Sequence, residues 1–542
     1  MLWKKETIKK DSPFTNLLAK YEYENIFRLL DDSSGSNNAK KLVKNEKLAN
    51  HYRKKGMVES EAKNWTNAIE LINEALCFAK RGTESMGCGY AERAACFLNL
   101  KMYDRCLVDI KLARANNCPS RFLPRLKKWS DECKKMLKLS LPDDQHEMHE
   151  PQLSFDANEQ CPCTANVIRI ENRKTDDDEQ HRERCIIATH DIGVGQTVLV
   201  EDGFVWTTSE KYKRCTICLK TMTNLIPCEN CTDSLLCAGS CEKTELHQIE
   251  CAMDLRVKHM NDDVNLGLVV RSILMALHCI PNLSELIKHV DRIVSGEGTA
   301  LDSVSTDLSR YTVFLENGLK WQWPKKKEKI YLRYIKRIFD GFMDKDDFEK
   351  LFGTKAHERF LMHLIGHHIC ALQYAANNSN IGHNCGTTIY AIVGGFLGHS
   401  CKPNAVLVTS DRKTVAVTIR PIEKGEEITI SYLQDDELDR SSKYRRKCLL
   451  ERYKIQCKCQ RCTTPATIAY NSKASLTQQL RMELRNVSYR DPKKQAKRRK
   501  LTQNCVKYLN TNGRARWNDD MSLVLHTYIH LLRIKYYLNL TY

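Results

Sequence analysis

The stretch Gly398-His399-Ser400-Cys401-Lys402-Pro403-Asn404 leads into Ala405–Thr409 and Lys413–Ile419, and Gly425-Glu426-Glu427-Ile428-Thr429-Ile430-Ser431-Tyr432 closes the run. The two middle segments are rich in β-branched residues and read as strands. A second such region lies well upstream: Arg184–Ala188 and Gln196–Glu201 read as two short strands joined by a turn at Gly193–Gly195. Between the two regions the pattern changes. In Val269-Val270-x2-Ile273-Leu274-x2-Leu277 the apolar residues stand three and four apart, which is one face of a helix. A β-rich core written in two pieces, with other chain inserted between them, predicts an α+β multidomain protein.

The inserted chain carries Cys215-x2-Cys218, Cys228-x2-Cys231, Cys237-x3-Cys241 and His247-x3-Cys251, eight ligand-type residues in 37 positions. In C-x2-C one tight turn aims both sulfurs at one ion, and residues four apart share a helix face. Eight ligands complete two closed tetrahedral sites. Closed sites are structural, because catalytic zinc keeps a position for water. So short a segment has little apolar core, and metal binding has to supply most of its folding free energy, on the order of 10 kcal/mol per site. The N-terminus is charged from Lys4 onward and no apolar run approaches the roughly 20 residues that cross a bilayer. The expectation is a reducing compartment and no membrane, where 25 cysteines serve as metal ligands and core thiols more than as disulfides.

Upstream, Trp65-x2-Ala68-Ile69-x2-Ile72-x2-Ala75-Leu76 returns 38 residues later as Tyr103-x2-Cys106-Leu107-x2-Ile110-x2-Ala113. The period resembles that of tetratricopeptide (TPR) repeats, about 34 residues, with a lengthened linker around Arg81–Gly89; a generic helical bundle would show the same stripe. A third helical pair is expected over Pro119–Leu141. TPR stacks present a concave surface for a partner peptide. After residue 462 stand 15 basic and 4 acidic residues, so eleven of the eighteen net positive charges belong to the tail. Nucleic acid is therefore not expected as the main ligand of the whole chain. The run Pro492–Lys500 reads either as a nuclear-import signal or as a solvated charged helix or loop.

The Gly398–Asn404 and Gly425–Tyr432 motifs, with Tyr453-x3-Cys457-x-Cys459-x2-Cys462 downstream, resemble a SET domain and its post-SET zinc cluster. The 215–251 segment resembles a MYND finger. SET strands interrupted by a MYND finger are the arrangement of the SET and MYND domain-containing (SMYD) lysine methyltransferases, and the TPR-like start points to their TPR-bearing branch. The resemblance implies protein-lysine N-methylation by S-adenosylmethionine (SAM) of a histone or non-histone substrate. It implies interleaved MYND zinc sites, Cys215/Cys218/Cys237/Cys241 and Cys228/Cys231/His247/Cys251, and a third zinc on Cys401, Cys457, Cys459 and Cys462. Of the other fourteen cysteines only Cys161-x-Cys163 has metal-like spacing. The resemblance further implies Tyr432 as the catalytic tyrosine, Tyr453 as a second tyrosine of the lysine channel, and Asn378, Gly398, His399 and Arg184, with Tyr432, at the cofactor. A proline-rich peptide is the implied MYND partner, and nucleus and cytoplasm the implied locations.

The resulting organisation is a polar leader (1–44), TPR-like helices (45–141), a linker (142–164), the first SET part (165–210), the MYND finger (215–251), a helical insert (252–360), the SET core (361–435), the post-SET segment (436–465) and a basic helical tail (466–542). Three positions depart from the family pattern: Gly398 replaces an asparagine, Glu183-Arg184-Cys185 a glycine-containing turn, and Ile455 an aromatic. They support a second expectation, a catalytically weak or inactive adaptor that recruits protein partners, for example in transcriptional repression.

Overall fold

The computed structural model describes residues 43–139, 150–175, 178–208, 212–221, 223–241, 244–251, 253, 264–295, 303–319, 328–379, 386–410, 412–453, 455–463, 495–515 and 517–537. Nearly all of the leader, and the side chain of Asn378, lie outside this description.

The N-terminal region is helical: α1 (Glu46–Glu61), α2 (Trp65–Phe78), α3 (Glu84–Asn99), α4 (Tyr103–Ala115) and α5 (Leu123–Leu139). The Asn45 side chain caps α1 by accepting from the backbone of Lys47 and Leu48 at 3.0 and 3.2 Å. The repeated stripes lie on α2 and α4, where Ala68, Ile72, Leu76, Cys106, Ile110 and Ala113 are buried. α1 packs on α2, and α3 on α4. The approach is close, since a Cβ at Gly56 would lie 2.9 Å from Ile72 Cγ1. The expected third pair is instead one short turn, Ser120–Phe122, followed by the single helix α5. Pro119 and Pro124 account for this, because proline is tolerated in a first helical turn and not within a preceding helix.

A buried polar network joins these helices to the cysteine-rich segment. Arg93 and Asp109 are fully buried and bond at 2.7 and 2.8 Å. Arg93 also donates to Asn73 Oδ1 (2.6 Å) and to the Leu225 carbonyl (2.7 Å), while Asn224 donates to Asp109 (2.7 Å). Breaking a buried pair leaves an uncompensated charge. Arg93→Ala is therefore expected to cost about 3–5 kcal/mol, read as accelerated hydrogen exchange in α2–α4 and in residues 212–227 together. Exchange unchanged in either segment would contradict the coupling.

The strands form β1 (Ile168–Thr175), β2 (Asp178–Ala188), β3 (Thr197–Asp202), β4 (Val205–Thr208), β5 (Leu225–Pro227), β6 (Leu235–Cys237), β7 (Gly386–Ile389), β8 (Gly398–His399), β9 (Ala405–Ser410), β10 (Lys413–Thr418) and β11 (Thr429–Ile430). The upstream strands exist as expected but do not pair with each other. β2 pairs with β1, and β3 joins the antiparallel sheet β3-β10-β9, with Val200 opposite Val415. Ile187 bridges Glu427, and Ile192 bridges Ile422, so the two halves of the β core interlock across the insertion. The expected linker is also engaged: Ser154 N donates to Thr197 O (3.0 Å) and Val200 N to Cys163 O (2.8 Å), covering the edge of β3.

Alternation along β9 and β10 buries both faces of the sheet. Ala405, Leu407 and Ala416 face the core beneath, while Val406, Val408, Val415 and Val417 meet Leu501, Cys505, Leu509, Val524 and Leu525. Those last residues belong to the C-terminal helices, here numbered α17 (Gln495–Asn512) and α18 (Asp519–Tyr537) after the intervening helices named below. The part of the basic run that is described forms the first turns of α17, with Lys497, Arg499 and Lys500 exposed and Arg498 buried.

After α6 (Glu245–Glu250) the insert folds as α7 (Leu266–Cys279), α8 (Leu283–Val294), α9 (Asp307–Leu319), α10 (Glu328–Met343), α11 (Asp346–Phe352) and α12 (Lys355–Ser379). His368 on α12 bonds Ser272 (2.8 Å) and Tyr311 (3.1 Å). Burial pushes the His368 imidazole well below its ordinary value, lowers His367, and pushes His363 down to about 3. Below pH 6.5 the unfolded chain takes up protons that these folded rings refuse, so stability present above that pH is lost as pH falls. Glu92 and Glu201, which burial pushes up to about 7, act in the opposite sense. Burial lowers His289 and His530 as well, so the depressed histidines outnumber the two glutamates, and each net proton is worth up to about 1.4 kcal/mol per pH unit. The melting temperature is expected to fall from pH 7 to pH 5.5; a rise would contradict this balance.

Candidate functional site

The cysteine-rich segment is built from turns and the hairpin β5–β6. Leu219, at φ 63°, closes the first knuckle, with Cys215 N on Lys220 O at 3.0 Å. Cys215, Cys218, Cys237 and Cys241 bring their sulfurs within 4.8 Å of one another, as do the donors of Cys228, Cys231, His247 and Cys251. The spacing of Cys237 and Cys241 is not helical as expected. Cys237 ends β6, and a turn with Gly239 at φ +81° delivers Cys241. His247 lies on α6, and Cys251 follows its end. The Lys44 ammonium bonds the carbonyls of Cys228 (2.6 Å) and Cys77 (2.9 Å), a second tie to the N-terminal helices.

A third group gathers Cys401, Cys457, Cys459 and Cys462, again within 4.8 Å. Cys401 comes from the loop after β8; past the short α14 (Asp435–Leu438), Cys457 and Cys459 follow α15 (Ser442–Tyr453), and Cys462 is on α16 (Gln460–Thr463). Arg461 donates to the Cys401 carbonyl at 3.0 Å and stacks on Trp517, 4.0 Å from its ring centre. Four soft donors at this separation fit a tetrahedral zinc ion. The buried Nδ1 of His247 has no hydrogen-bond partner among the described residues, so the thiol cluster is what holds this ring. Cys161 and Cys163 lie with sulfurs 3.5 Å apart but belong to no group of three or more donors among the described residues.

Beside the third group, β8 and β11 pair in parallel, Gly398 with Thr429 and His399 with Ile430. Asn404 fastens this crossing: its Oδ1 accepts from Thr429 N (2.8 Å), and its Nδ2 donates to the carbonyl of Glu427 (2.8 Å). His399 Nδ1 accepts from Tyr432 N (3.0 Å), and its other nitrogen faces Cys401 Sγ at 3.3 Å. Burial pushes this imidazole down to about 4. Tyr432 is buried and donates its hydroxyl to the Leu397 carbonyl at 2.5 Å. Tyr453 donates to the Tyr432 carbonyl at 2.9 Å, and burial raises its hydroxyl. The three rings, His399, Tyr432 and Tyr453, follow one another at centroid distances of 5.3 Å.

Of the expected cofactor residues, His399, Gly398 and Tyr432 are brought together, while Asn378 lies outside the described side chains. Arg184 is turned to a partner that its sequence neighbourhood does not reveal. Its guanidinium grips Glu316 of α9 with two nitrogens, one contact at 3.0 Å, and lies 5.5 Å from the Phe396 ring centre. Ile455 packs in the same core as Tyr432. Glu201, fully buried, accepts from the backbone of Ile392 (2.8 Å) and Val393 (3.0 Å), which anchors α13 (Ala391–Phe396) just ahead of β8. Its position inside an ordinary strand gave no sign of this role.

The strand crossing fastened by an asparagine, next to a thiol cluster and a buried tyrosine, lies within residues 183–433, which match the SET domain family. Protein-lysine N-methyltransferase SMYD4 of Danio rerio is 23% identical over 232 residues, covering 39% of this chain and 30% of its own length. The Homo sapiens protein of that name is 24% identical over 273 residues, covering 37% and 33%. Histone-lysine N-methyltransferase ASHR1 of Arabidopsis thaliana is 27% identical over 294 residues, covering 52% and 53%. The chain thus carries a SET domain and is homologous to the SMYD4 protein-lysine methyltransferases. It spans about a third of the length of the Danio rerio and Homo sapiens SMYD4 proteins.

Proposed function

We propose that the chain is a SAM-dependent protein-lysine N-methyltransferase. The observation that carries this reading is the meeting of Tyr432, Tyr453 and His399 at the β8–β11 crossing, inside the segment that matches a SET domain. SAM supplies an electrophilic methyl group on a sulfonium. The residues of this chain have to bind it, orient the lysine amine and exclude water. The amine attacks only when neutral, and at a free pKa near 10.4 that costs about 4 kcal/mol at pH 7.4. The buried surroundings of Tyr432 and Tyr453 favour the neutral amine by desolvation. The Tyr432 hydroxyl, oriented by the Leu397 carbonyl, places two partly negative oxygens together, which favours a polarised methyl in transit. His399, Gly398, Tyr432, Asn378 and Arg184 are the proposed cofactor residues.

The three donor groups fit zinc, two ions in a MYND-like finger over 215–251 and one in a post-SET cluster, all structural. TPR-like helices over 45–141 and the finger are proposed to bind partner peptides, a proline-rich one at the finger. The exposed lysines and arginine of α17 support a nuclear as well as a cytoplasmic location. The domain boundaries given above stand as part of the same proposal. A second reading is favoured by one observation: Arg184 is already engaged by Glu316, and no side chain projects from Gly398. On that reading the SET core is an adaptor scaffold. Incubation of metal-loaded protein with labelled SAM and lysine-rich protein substrates separates the two. Label on lysine supports the enzyme, and absence of both SAM binding and transfer supports the adaptor.

A further inference from the structure

The space beside Gly398 is occupied. A Cβ built on Gly398 would lie 2.6 Å from Oε1 of Glu427 and 3.7 Å from its carboxyl carbon. Among the described residues no backbone atom crowds that Cβ, and the room next to β8 is taken by the Glu427 carboxylate. The placement of Glu427 is fixed by the fold. Its carbonyl accepts from Asn404 at 2.8 Å, it bridges Ile187, and the next residue donates from Ile428 N to Ile186 O at 2.8 Å. Glu427 therefore stands on a segment flanked on one side by the strand that carries Arg184 and on the other by β8. Both Glu427 and Gly398 are half-buried.

The chemistry of a carboxylate differs from that of a neutral amide at such a place. It accepts hydrogen bonds only, and it attracts a cation over a neutral molecule of the same shape. SAM bears a sulfonium charge that its demethylated product, S-adenosylhomocysteine, lacks. Donor and product thus differ by one methyl group and one positive charge. We propose that Glu427, standing in the space a side chain at position 398 would take, is a cofactor-selecting residue that favours the charged methyl donor over its neutral product. The selection speeds product release and limits inhibition by it. The inference rests on the methyl-transfer reading above.

The test is calorimetric titration of the full-length, metal-loaded protein with SAM and, separately, with S-adenosylhomocysteine. Glu427→Gln keeps the shape and removes one negative charge. It is expected to weaken SAM about tenfold, the scale of one charge acting over several ångströms at intermediate dielectric, and to change S-adenosylhomocysteine less than twofold. In the double variant Gly398→Asn/Glu427→Ala, an amide takes the vacated room, and the two ligands are expected to bind within about threefold of each other. Equal weakening of both ligands by Glu427→Gln, or no change in their ratio, overturns the role given to Glu427 while leaving the methyl-transfer reading in place. Wild-type protein that binds neither ligand overturns that reading and this one together. Unchanged metal content and far-ultraviolet dichroism of Glu427→Gln exclude misfolding as the cause.

Discussion

Cys401→Ser is expected to abolish methyl transfer and to release one metal ion per chain. Cys401 is fully buried at the centre of the third donor group, with its sulfur 3.5 Å from Cys462 and 3.9 Å from Cys457. It is also two residues from His399, whose imidazole lies 3.3 Å from that sulfur and receives the Tyr432 amide. A serine oxygen is a poor substitute for thiolate at zinc, and a site with three ligands loses much of the roughly 10 kcal/mol that a closed site contributes. The loop 399–404 then loses its anchor beside the β8–β11 crossing. Cys505→Ser is the control, because Cys505 is also buried but lies among apolar side chains of α17, α18 and the sheet. That variant is expected to cost about 1–3 kcal/mol and to keep its metal and its activity. Similar metal loss in both variants would contradict the assignment.

Tyr432→Phe is expected to lower kcat by about 10²–10³-fold with little change in KM for SAM, because the hydroxyl acts on the moving methyl and not on ground-state binding. The hydroxyl donates to the Leu397 backbone carbonyl at 2.5 Å. Its loss is expected to cost stability only about 1 kcal/mol. Tyr453→Phe removes the 2.9 Å bond to the Tyr432 carbonyl and so loosens the loop without removing the reacting oxygen. A smaller loss of about tenfold is expected. Equal effects of the two substitutions, measured by initial rates of label transfer, would contradict the division of roles.

The parts of this molecule that were legible in the sequence are those whose chemistry is local. The knuckle Cys215-x2-Cys218 specifies its own turn, and the alternation in β9 and β10 specifies which residues face which layer. Spacing alone did not settle the backbone between ligands. Four residues from Cys237 to Cys241 suit a helix, yet the strand β6 and the left-handed Gly239 deliver the same sulfur by another route. Strand partners were also hidden. Arg184–Ala188 and Gln196–Glu201 are neighbours in the chain, but each is completed by residues from elsewhere.

Least legible were the charged residues that the fold uses in pairs. Arg184 meets Glu316 across 132 positions, and Arg93 reaches Leu225 across another 132. No periodicity marks such partners, because the contact depends on how two separate elements pack. The same holds for Glu427. A reading of the motif sees a gap at Gly398, whereas the fold shows a carboxylate filling it.

The three donor groups are proposed to hold metal and so to fix the β8–β11 crossing in place. Elemental analysis of the purified, reduced, full-length protein tests it most directly. About three zinc ions per chain, lost on chelation together with cooperative unfolding, is the predicted result. A folded chain with no bound metal would contradict it.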